Sequence, residues 1–213
     1  MTTNLSPRER QKIARREAIL QAARQVFLSG NLHTATIATV AEAAHVSKGT
    51  VYLYFESKEA LLAELLREGL QLLEAQLTAA YAADEPLPPD VRVARVAGAY
   101  LDFAQAQPDV VRLRVAFDNG HIDADLPSEL AGEIRQLRVR GVELIAEAIR
   151  DGTRQKLFRR TQSYRVAAAL WAALDGALLM AGDEKRPRRG DTRADALFQA
   201  TLETFLRDLG VEG

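Results

Sequence analysis

The sequence contains no cysteine among its 213 residues. This absence excludes disulfide bonds, thiolate zinc sites and cysteine nucleophiles. Aromatic residues are scarce at 6%, whereas hydrophobic residues as a whole make up 47% of the chain. Because alanine, leucine and arginine are abundant, the composition favours helices over sheets. The length suffices for one sizeable core, or for a small domain fused to a larger one.

Long hydrophobic runs are also scarce. The opening MTTNLSPRERQKIARRE is charged and lacks an apolar h-region, so we expect no secretory signal. The longest apolar run, 166–181, is interrupted by Trp171, Asp175 and Gly176. It is too short and too broken to span a bilayer comfortably, and we expect a core helix enclosed on all sides. A soluble, cytoplasmic protein is the natural expectation.

Neither sign of charge dominates the chain, whose formal net charge is −1. The balance is uneven, however. Residues 1–58 hold eight basic and four acidic side chains, a net of +4, while the remainder has a net of −5. A basic N-terminal quarter indicates a polyanionic partner for that quarter alone. A solvated, charged helix face accounts for the charge equally well.

Apolar spacing predicts an all-α fold of about nine helices, without strand-like alternation or internal repeats. Ser6 and Glu9 form a capping box at the start of the first helix. Two short helices are predicted over 36–44 and 47–55, separated by a tight turn. A fourth helix starts after Ser57 and carries a long stripe of leucines.

The chain beyond the acidic, proline-rich loop at 84–89 keeps a helical pattern. The spacing predicts helices over 93–105 and 110–117, then one of about five turns marked by apolar residues from 130 to 148. The apolar face of a last helix is formed by Phe198, Leu202, Phe205 and Leu209.

The two short helices have the dimensions of a helix-turn-helix. In such a unit the second helix enters the major groove of DNA by its N-terminal end, which is here Ser47-Lys48-Gly49-Thr50. Lys48 offers a donor to guanine acceptors and Thr50 offers a hydroxyl. Gly49 lets the backbone approach closely. We therefore expect this segment to face the groove.

The rest of the second short helix separates into outward and inward positions. Tyr52 and Tyr54 are expected to be exposed, with hydroxyls that suit phosphate oxygens. Lys58 lies at the start of the fourth helix, where free N–H groups also favour phosphate. Val51 and Phe55 are spaced to be buried and to hold the helix in place. One tyrosine packed in the core and the other solvated is the alternative.

The stretch TIATVAEAAHVSKGTVYLYFESKEALLAELL resembles the N-terminal domain of the TetR family of bacterial regulators. The family pattern of Val-Ser, a small-residue segment, Tyr-x-x-Phe and Ser-Lys-Glu-x-Leu falls here on 46–47, 48–50, 52–55 and 57–61. His45 stands where the family usually has a turn glycine. Because histidine tolerates the left-handed region better than most residues, we expect a slightly strained turn.

The resemblance implies a helix-turn-helix DNA-binding domain of three helices at 1–58 and a larger helical effector-binding and dimerisation domain at 59–213. It implies a dimeric transcriptional repressor that binds a palindromic operator in double-stranded DNA and is released by a small-molecule effector. The basic run 8–16 adds candidate contacts to the DNA backbone or minor groove. The DNA-contacting residues implied by the resemblance are Thr36, Thr39, Ser47, Lys48, Gly49, Thr50, Tyr52, Tyr54 and Lys58.

The effector pocket is less well defined, because an ordinary core requires the same residue types. Asp175 interrupts an apolar stretch and therefore needs a partner. An arginine, a helix end, its counterpart across a dimer axis, or a cationic or hydroxyl group of the effector all qualify. The candidate pocket residues are Leu70, Leu73, Tyr100, Phe103, Phe117, Trp171, Asp175 and Met180.

Small residues on the helix at 166–181 allow another helix to approach closely. Together with the last helix they predict a four-helix dimer interface about a two-fold axis. Burial within the monomer is the alternative. The small residues are Ala173, Gly176, Ala177 and Ala181.

Two other classes of function compete with a ligand-responsive repressor. One is an effector-independent DNA-binding protein whose C-terminal domain serves only dimerisation, for which a fully packed C-terminal core would argue. The other is an enzyme, which is disfavoured because the sequence lacks a glycine-rich phosphate loop, metal-ligand spacing and a nucleophile–base pair. His33, His45 and His121 are too scattered for a metal site, and no cofactor is expected.

Overall fold

The computed structural model describes residues 6–28, 35–82, 87–118, 126–182 and 194–210, with the backbone alone at 28, 180–182 and 194. These residues confirm the all-α prediction, since the sole extended pairing among them is an isolated bridge between Phe158 and Gly210. The described helices are α1 (Pro7–Leu28), α2 (Ile37–Ala43), α3 (Lys48–Tyr52), α4 (Lys58–Tyr81), α5 (Pro89–Ala106), α6 (Pro108–Asp118), α7 (Ser128–Arg154), α8 (Ser163–Gly182) and α9 (Ala194–Leu209).

The chain divides into two compact units. The first comprises Met1–Gly69 and Asp109–Ile134, and the second comprises Leu70–Pro108 and Arg135–Gly213. Helices α4 and α7 each contribute residues to both units. The boundary predicted after residue 58 separates a DNA-binding domain from an effector-binding and dimerisation domain. The two compact units reflect packing and not these functions, so that boundary stays a prediction.

Helix α1 begins as its sequence predicts. The backbone N–H of Ser6 donates to the Glu9 carboxylate at 2.8 Å, and the Glu9 N–H donates to the Ser6 hydroxyl at 3.3 Å. This capping box satisfies N–H groups that have no partner inside the helix. The apolar face of α1 is buried at Ile19, Ala23 and Phe27. The segment Ser29-Gly30-Asn31, whose composition predicts the end of this helix, lies outside the described residues.

Helices α2 and α3 each begin at a hydroxyl cap. Thr36 accepts from the N–H of Thr39, and Ser47 accepts from the N–H of Thr50. Helix α3 ends at Tyr52, earlier than the predicted end near residue 55. The reason is that Tyr54 donates its N–H to the carbonyl of Val51, three residues back, which tightens the last turn.

Helix α4 buries the leucine stripe that its sequence predicts. Ser57 caps the helix by accepting from the N–H of Ala60 at 2.9 Å. Within the first unit, α6 approaches α4 closely, since a Cβ built on Gly69 would lie 2.5 Å from Val110. The buried stripe consists of Leu62, Leu66, Leu70, Leu73 and Leu77.

Three helices are longer than the apolar spacing predicts. Helix α5 begins at Pro89 and α6 at Pro108, because proline suits the first helical turn. Helix α7 has 27 residues, or about seven turns rather than five. It ends beyond the apolar pattern, where Leu157 donates its N–H to the carbonyl of Gly152 and Lys156 has a φ of 61°. This left-handed ending closes the helix.

Helix α8 corrects one prediction. It packs against α5 and α9 in the second unit, but it is not enclosed on all sides as its composition predicts. Tyr164 and Leu179 are 53% and 46% exposed, because the neighbouring helices of this chain leave part of its circumference uncovered. Burial within the monomer therefore does not account for the apolar composition of α8. Within the described ranges, no helix is long and apolar enough to cross a membrane.

Candidate nucleic-acid interface

The turn between α2 and α3 has the geometry expected of a helix-turn-helix. His45 has a φ of 53°, which confirms that a non-glycine residue occupies the left-handed region here. The N–H of His45 donates to the carbonyl of Glu42, and that of Val46 donates to Ala41. These two bonds end α2 in the way that a C-terminal glycine ordinarily does. The turn therefore tolerates the substitution of glycine by histidine.

One side of helix α3 is buried against the rest of the first unit, and the other side is exposed. Val51 is completely buried and Phe55 is 4% exposed, which confirms that the pair holds the helix in place. On the outer side, Tyr52 is 52% exposed and Leu53 is 82% exposed, while Tyr54 is half-buried. The two tyrosines are therefore not equivalent, and Tyr52 is the more accessible to a partner.

The N-terminal end of α3 presents small groups to the outside. Ser47, Lys48 and Gly49 are exposed and Thr50 is half-buried. A Cβ built on Gly49 would meet only the Ser47 Oγ, at an ordinary contact distance of 3.7 Å. Packing within the chain thus does not require glycine at position 49. The missing side chain leaves room for a molecule outside the protein.

Several candidate contact residues also make contacts within the chain. The Thr39 hydroxyl donates to the carbonyl of Thr36 at 2.7 Å, and the Ser47 and Thr50 hydroxyls lie 2.9 Å apart. Lys58 has its Nζ 5.5 Å from the centroid of the Phe27 ring, which is a cation–π contact. These side chains stabilise the helix-turn-helix itself, so their contact with DNA stays a prediction.

The basic residues of α1 separate into two groups. Arg16 and Arg24 pair with Glu64 and Glu68 of α4, both at 2.6 Å. Arg16 also lies over the ring of Phe55, 5.1 Å from its centroid. Arg16 therefore contributes to the internal contacts of the first unit, which corrects its placement in the basic run 8–16 as a candidate DNA contact.

The other group of α1 cations faces an open groove of about 360 Å³ in the first unit. This groove lies between the first half of α1 and the residues that follow α3. Sequence reasoning missed Gln11 and Leu53 as parts of this surface, although their neighbours were recognised. The spacing of basic residues at i, i+4 and i+7 was the available signal. The groove is lined by Arg8, Gln11, Lys12, Arg15, Leu53 and Tyr54.

A chain of ion pairs links three helices of the first unit. Glu64 accepts from Arg16 of α1 at 2.6 Å and from Arg67 of α4 at 2.8 Å. Arg67 in turn lies 3.7 Å from Glu133 of α7. Glu64 and Arg67, at the centre of this chain of ion pairs, are both largely shielded from water. The ion pairs therefore fix α1, and with it the Phe55 anchor, against α4.

The candidate effector residues of the second unit include one aromatic and carboxylate cluster. The Tyr100 hydroxyl donates to the Asp175 carboxylate, and the Tyr100 ring stacks on Trp171 at 4.4 Å between centroids. Asp175 therefore meets a tyrosine of its own chain. The ring of Phe198 lies 6.5 Å from Tyr100 and completes the cluster.

The remaining pocket candidates do not all join this cluster. Leu70, Leu73 and Phe103 are buried within the second unit, as either a core or a pocket wall requires. Phe117 belongs to the first unit and is half-buried. The side chain of Met180 lies outside the described residues, as do His33 and His121. No group of three or more potential metal ligands occurs in the part of the chain that is described.

Comparison with known proteins identifies the family. A family model described as "Bacterial regulatory proteins, tetR family" matches residues 19–65, which span the end of α1 through the start of α4. The chain therefore carries the N-terminal domain of the TetR family at these residues. Members of this family are DNA-binding transcriptional regulators, generally repressors, and the protein is accordingly a regulator rather than an enzyme.

Two regulators illustrate how far the sequence similarity extends. HTH-type transcriptional regulator RutR of Escherichia coli K12 is 26% identical over 209 residues, which cover 97% of this chain and 93% of that protein. HTH-type transcriptional repressor KstR2 of Mycolicibacterium smegmatis is 35% identical over 63 residues, 30% of this chain and 31% of that one. Sequence identity is thus higher over the 63-residue segment shared with KstR2 than over the nearly full-length match to RutR.

Solved structures share the fold at low sequence identity. A TetR transcription regulator from Haloarcula marismortui has a TM-score of 0.73 at 18% identity, covering 93% of this chain and 99% of that one. The TetR-family regulator PfmR from Thermus thermophilus has a TM-score of 0.67 at 23% identity, covering 92% and 99%. The TetR fold is therefore present over nearly the whole chain.

Proposed function

We propose that the protein is a homodimeric repressor that binds a palindromic operator through α3 and is released by a small-molecule effector. The observation that carries the proposal is the exposed N-terminal end of α3. Lys48 and Gly49 project from a helix whose other side is anchored by Val51 and Phe55. This end of the helix is exposed, has small side chains and carries one positive charge, while the core holds the helix in place. Such a surface suits insertion into the major groove.

Each exposed group of the helix-turn-helix has a role in this proposal. Lys48 donates to guanine acceptors or to phosphate, and Gly49 admits the backbone close to the base edges. Tyr52 and Tyr54 donate to phosphate oxygens and fix the register. The side chains at the starts of α2, α3 and α4 complete the contact surface. These are Thr36, Thr39, Ser47, Thr50 and Lys58.

The proposed dimer uses the uncovered side of α8 together with α9. Tyr164 and Leu179 expose apolar surface on α8, and two alanines between them, Ala169 and Ala172, are also exposed. A Cβ built on Gly176 would meet no other atom within 4 Å. Such a surface suits the close approach of a second α8 about a two-fold axis. A palindromic operator requires two DNA-binding domains, which this dimer would supply.

The proposed effector site is the cluster around Tyr100, Trp171 and Asp175. Stacked aromatic rings beside a carboxylate favour a ligand with an apolar body and a cationic or hydroxyl group. The competing proposal is that the 59–213 domain serves dimerisation only. It is favoured by the contact between Tyr100 and Asp175, which already satisfies both side chains within the chain. In either case the proposed site of action is double-stranded DNA in the cytoplasm.

Selection of bound sequences from random duplex DNA tests the operator and the dimer together. We expect an enriched inverted repeat whose half-sites lie about one helical turn or a multiple apart. Sedimentation of the complex should give two protomers for each selected duplex. Enrichment of a single half-site would contradict the dimer, and no enrichment at all would contradict the operator.

A further inference from the structure

Arg16 of α1 makes two contacts at once, one with α4 and one with the residue that anchors α3. Its guanidinium donates to the Glu64 carboxylate at 2.6 Å and also lies over the Phe55 ring, 5.1 Å from the centroid. Phe55 is only 4% exposed, so water does not compete strongly for this contact. A cation in this position is attracted by the π face of the ring. One side chain of α1 therefore joins the anchor of α3 to α4.

Phe55 is fixed to α3 through its backbone. Its N–H donates to the carbonyl of Val51 at 3.0 Å, and Val51 is completely buried. The place of the Phe55 ring therefore sets the place of the last turn of α3. Because α3 has five residues, a shift of its last turn also moves the exposed end at Lys48, which the proposed function inserts into the major groove.

The carboxylate that holds Arg16 is itself held from a second side. Glu64 accepts from Arg16 through Oε1, and from the Nε and Nη2 of Arg67 through Oε2, both at 2.8 Å. A second α1–α4 ion pair, between Arg24 and Glu68, is also 2.6 Å long. Within the described ranges, however, Glu68 accepts from Arg24 alone and Arg24 lies over no aromatic ring. Two similar ion pairs thus differ in whether they reach the anchor of α3.

We propose that Arg16 is a positioning residue for operator binding, which acts through Phe55 and does not touch DNA. The inference rests on the proposed function. With Arg16 in place, α3 keeps the orientation that fits the major groove, and without it α3 adopts that orientation for a smaller fraction of the time. Because only the fitting orientation binds the operator, the apparent dissociation constant rises as that fraction falls. Binding to unrelated DNA depends on phosphate contacts and not on this fit, so it stays unchanged.

Arg16→Gln and Arg24→Gln form a matched pair for the test. Each removes one α1–α4 ion pair of the same length and similar exposure, so both should lose a similar, small amount of thermal stability. Affinity for the selected operator and for an unrelated duplex is measured at several salt concentrations. The NMR signals of the Phe55 ring are compared in the same variants.

We expect Arg16→Gln to weaken operator binding about fivefold, which corresponds to the loss of a cation–π contact of about 1 kcal/mol. Its affinity for the unrelated duplex and its slope of log K against log salt should equal those of the parent, because no phosphate contact is lost. The ring signals of Phe55 should shift. Arg24→Gln should match the parent in operator affinity, salt slope and ring signals.

Phe55→Leu provides an independent variant, since it keeps a buried apolar side chain but removes the aromatic ring. In this background Arg16→Gln should cause no further loss of operator affinity, because the contact through which Arg16 acts is already absent. Thermal unfolding of the single and double variants checks that each is folded. Losses that add in the double variant would mean that Arg16 does not act through the ring.

Two further results overturn the positioning role. Equal operator affinity in Arg16→Gln and Arg24→Gln would give the two ion pairs the same, purely structural role. A salt slope lowered by about 0.9 for each DNA-binding domain in Arg16→Gln would make Arg16 a phosphate contact. If the parent enriches no sequence, the proposed function fails and the role of Arg16 with it. An enriched operator that Arg16→Gln binds as the parent does contradicts the positioning role alone.

Discussion

Helices α3 and α8 both expose surface that the rest of the chain leaves uncovered, but they differ in chemistry. Helix α3 exposes a lysine, a glycine and a tyrosine, on a base held by Val51 and Phe55. Helix α8 exposes Tyr164, Leu179 and alanines. A polar, positively charged surface suits a hydrated polyanion, whereas an apolar one suits a copy of itself. In the proposed function the two helices thus divide DNA binding, by α3, from dimer assembly, by α8.

The largest effect is expected at Phe55, which holds α3, the proposed recognition helix, in place. Phe55→Ala removes a ring that is 4% exposed and underlies Arg16. Truncating a buried phenylalanine should lower the free energy of unfolding by about 3–5 kcal/mol. Denaturant unfolding measures this loss. A decrease below about 1 kcal/mol would show that α3 is held by other contacts.

The next largest effect is expected at the proposed dimer surface of α8. Leu179→Asp places a charge on the exposed apolar side of α8, which should dissociate the dimer because an unpaired carboxylate is costly to bury. Sedimentation should give a monomer, with weaker binding to the full palindrome. The control is Val91→Asp, at an exposed apolar position of α5 that is 37% accessible. Equal behaviour of the two variants would place the interface elsewhere.

A smaller effect sharpens the role of the glycine on α3. Gly49→Ala meets only ordinary internal contact, so it should raise the free energy of unfolding by up to about 1 kcal/mol while weakening operator binding. Gly98→Ala is the matched control, since a Cβ there meets nothing within 4 Å in α5. It should stabilise the helix and leave DNA affinity unchanged. Unchanged operator affinity in Gly49→Ala would contradict a close approach of DNA at this position.

The smallest effect concerns the start of α1, beside the groove. The hydrogen bonds from the Ser6 hydroxyl and backbone hold the pKa of the Glu9 carboxyl below its ordinary value of 4.5. Because the pKa of Glu9 is lower in the folded protein than in the unfolded chain, the ionised carboxylate stabilises the helix start above pH 4.5. This stabilisation is lost as the pH falls through the folded-state pKa. NMR titration of Glu9 should show the lowered pKa, and Ser6→Ala should return it towards 4.5. An identical titration in both proteins would contradict the cap.

Local chemistry made much of this fold predictable. The caps at Ser6, Thr36 and Ser47 depend on residues three positions apart, and the leucine stripe of α4 depends on helical periodicity. The burial of Val51 and Phe55 follows from the same spacing. Where neighbours in sequence decide the structure, sequence reasoning therefore succeeded.

Contacts between distant segments were not predictable in the same way. Arg15 and Arg16 are adjacent in sequence, yet one faces the groove and the other pairs with Glu64, which lies 48 residues away. The partner of Asp175 is likewise Tyr100, from another helix. The sequence left open whether α8 is covered by its own chain or by a dimer partner, because periodicity shows that a helix is apolar, not what covers it.

Operator affinity of Lys48→Ala and Tyr52→Ala, measured beside the parent on the selected duplex, tests the reading head most directly. Both side chains are exposed, so their removal should leave the melting temperature and the dimer unchanged. Loss of the Lys48 contact to a base, or of the Tyr52 contact to phosphate, should weaken each complex by about 1–3 kcal/mol, or roughly five- to 150-fold. Parent-like affinity in both variants would contradict the assignment of α3 as the recognition helix.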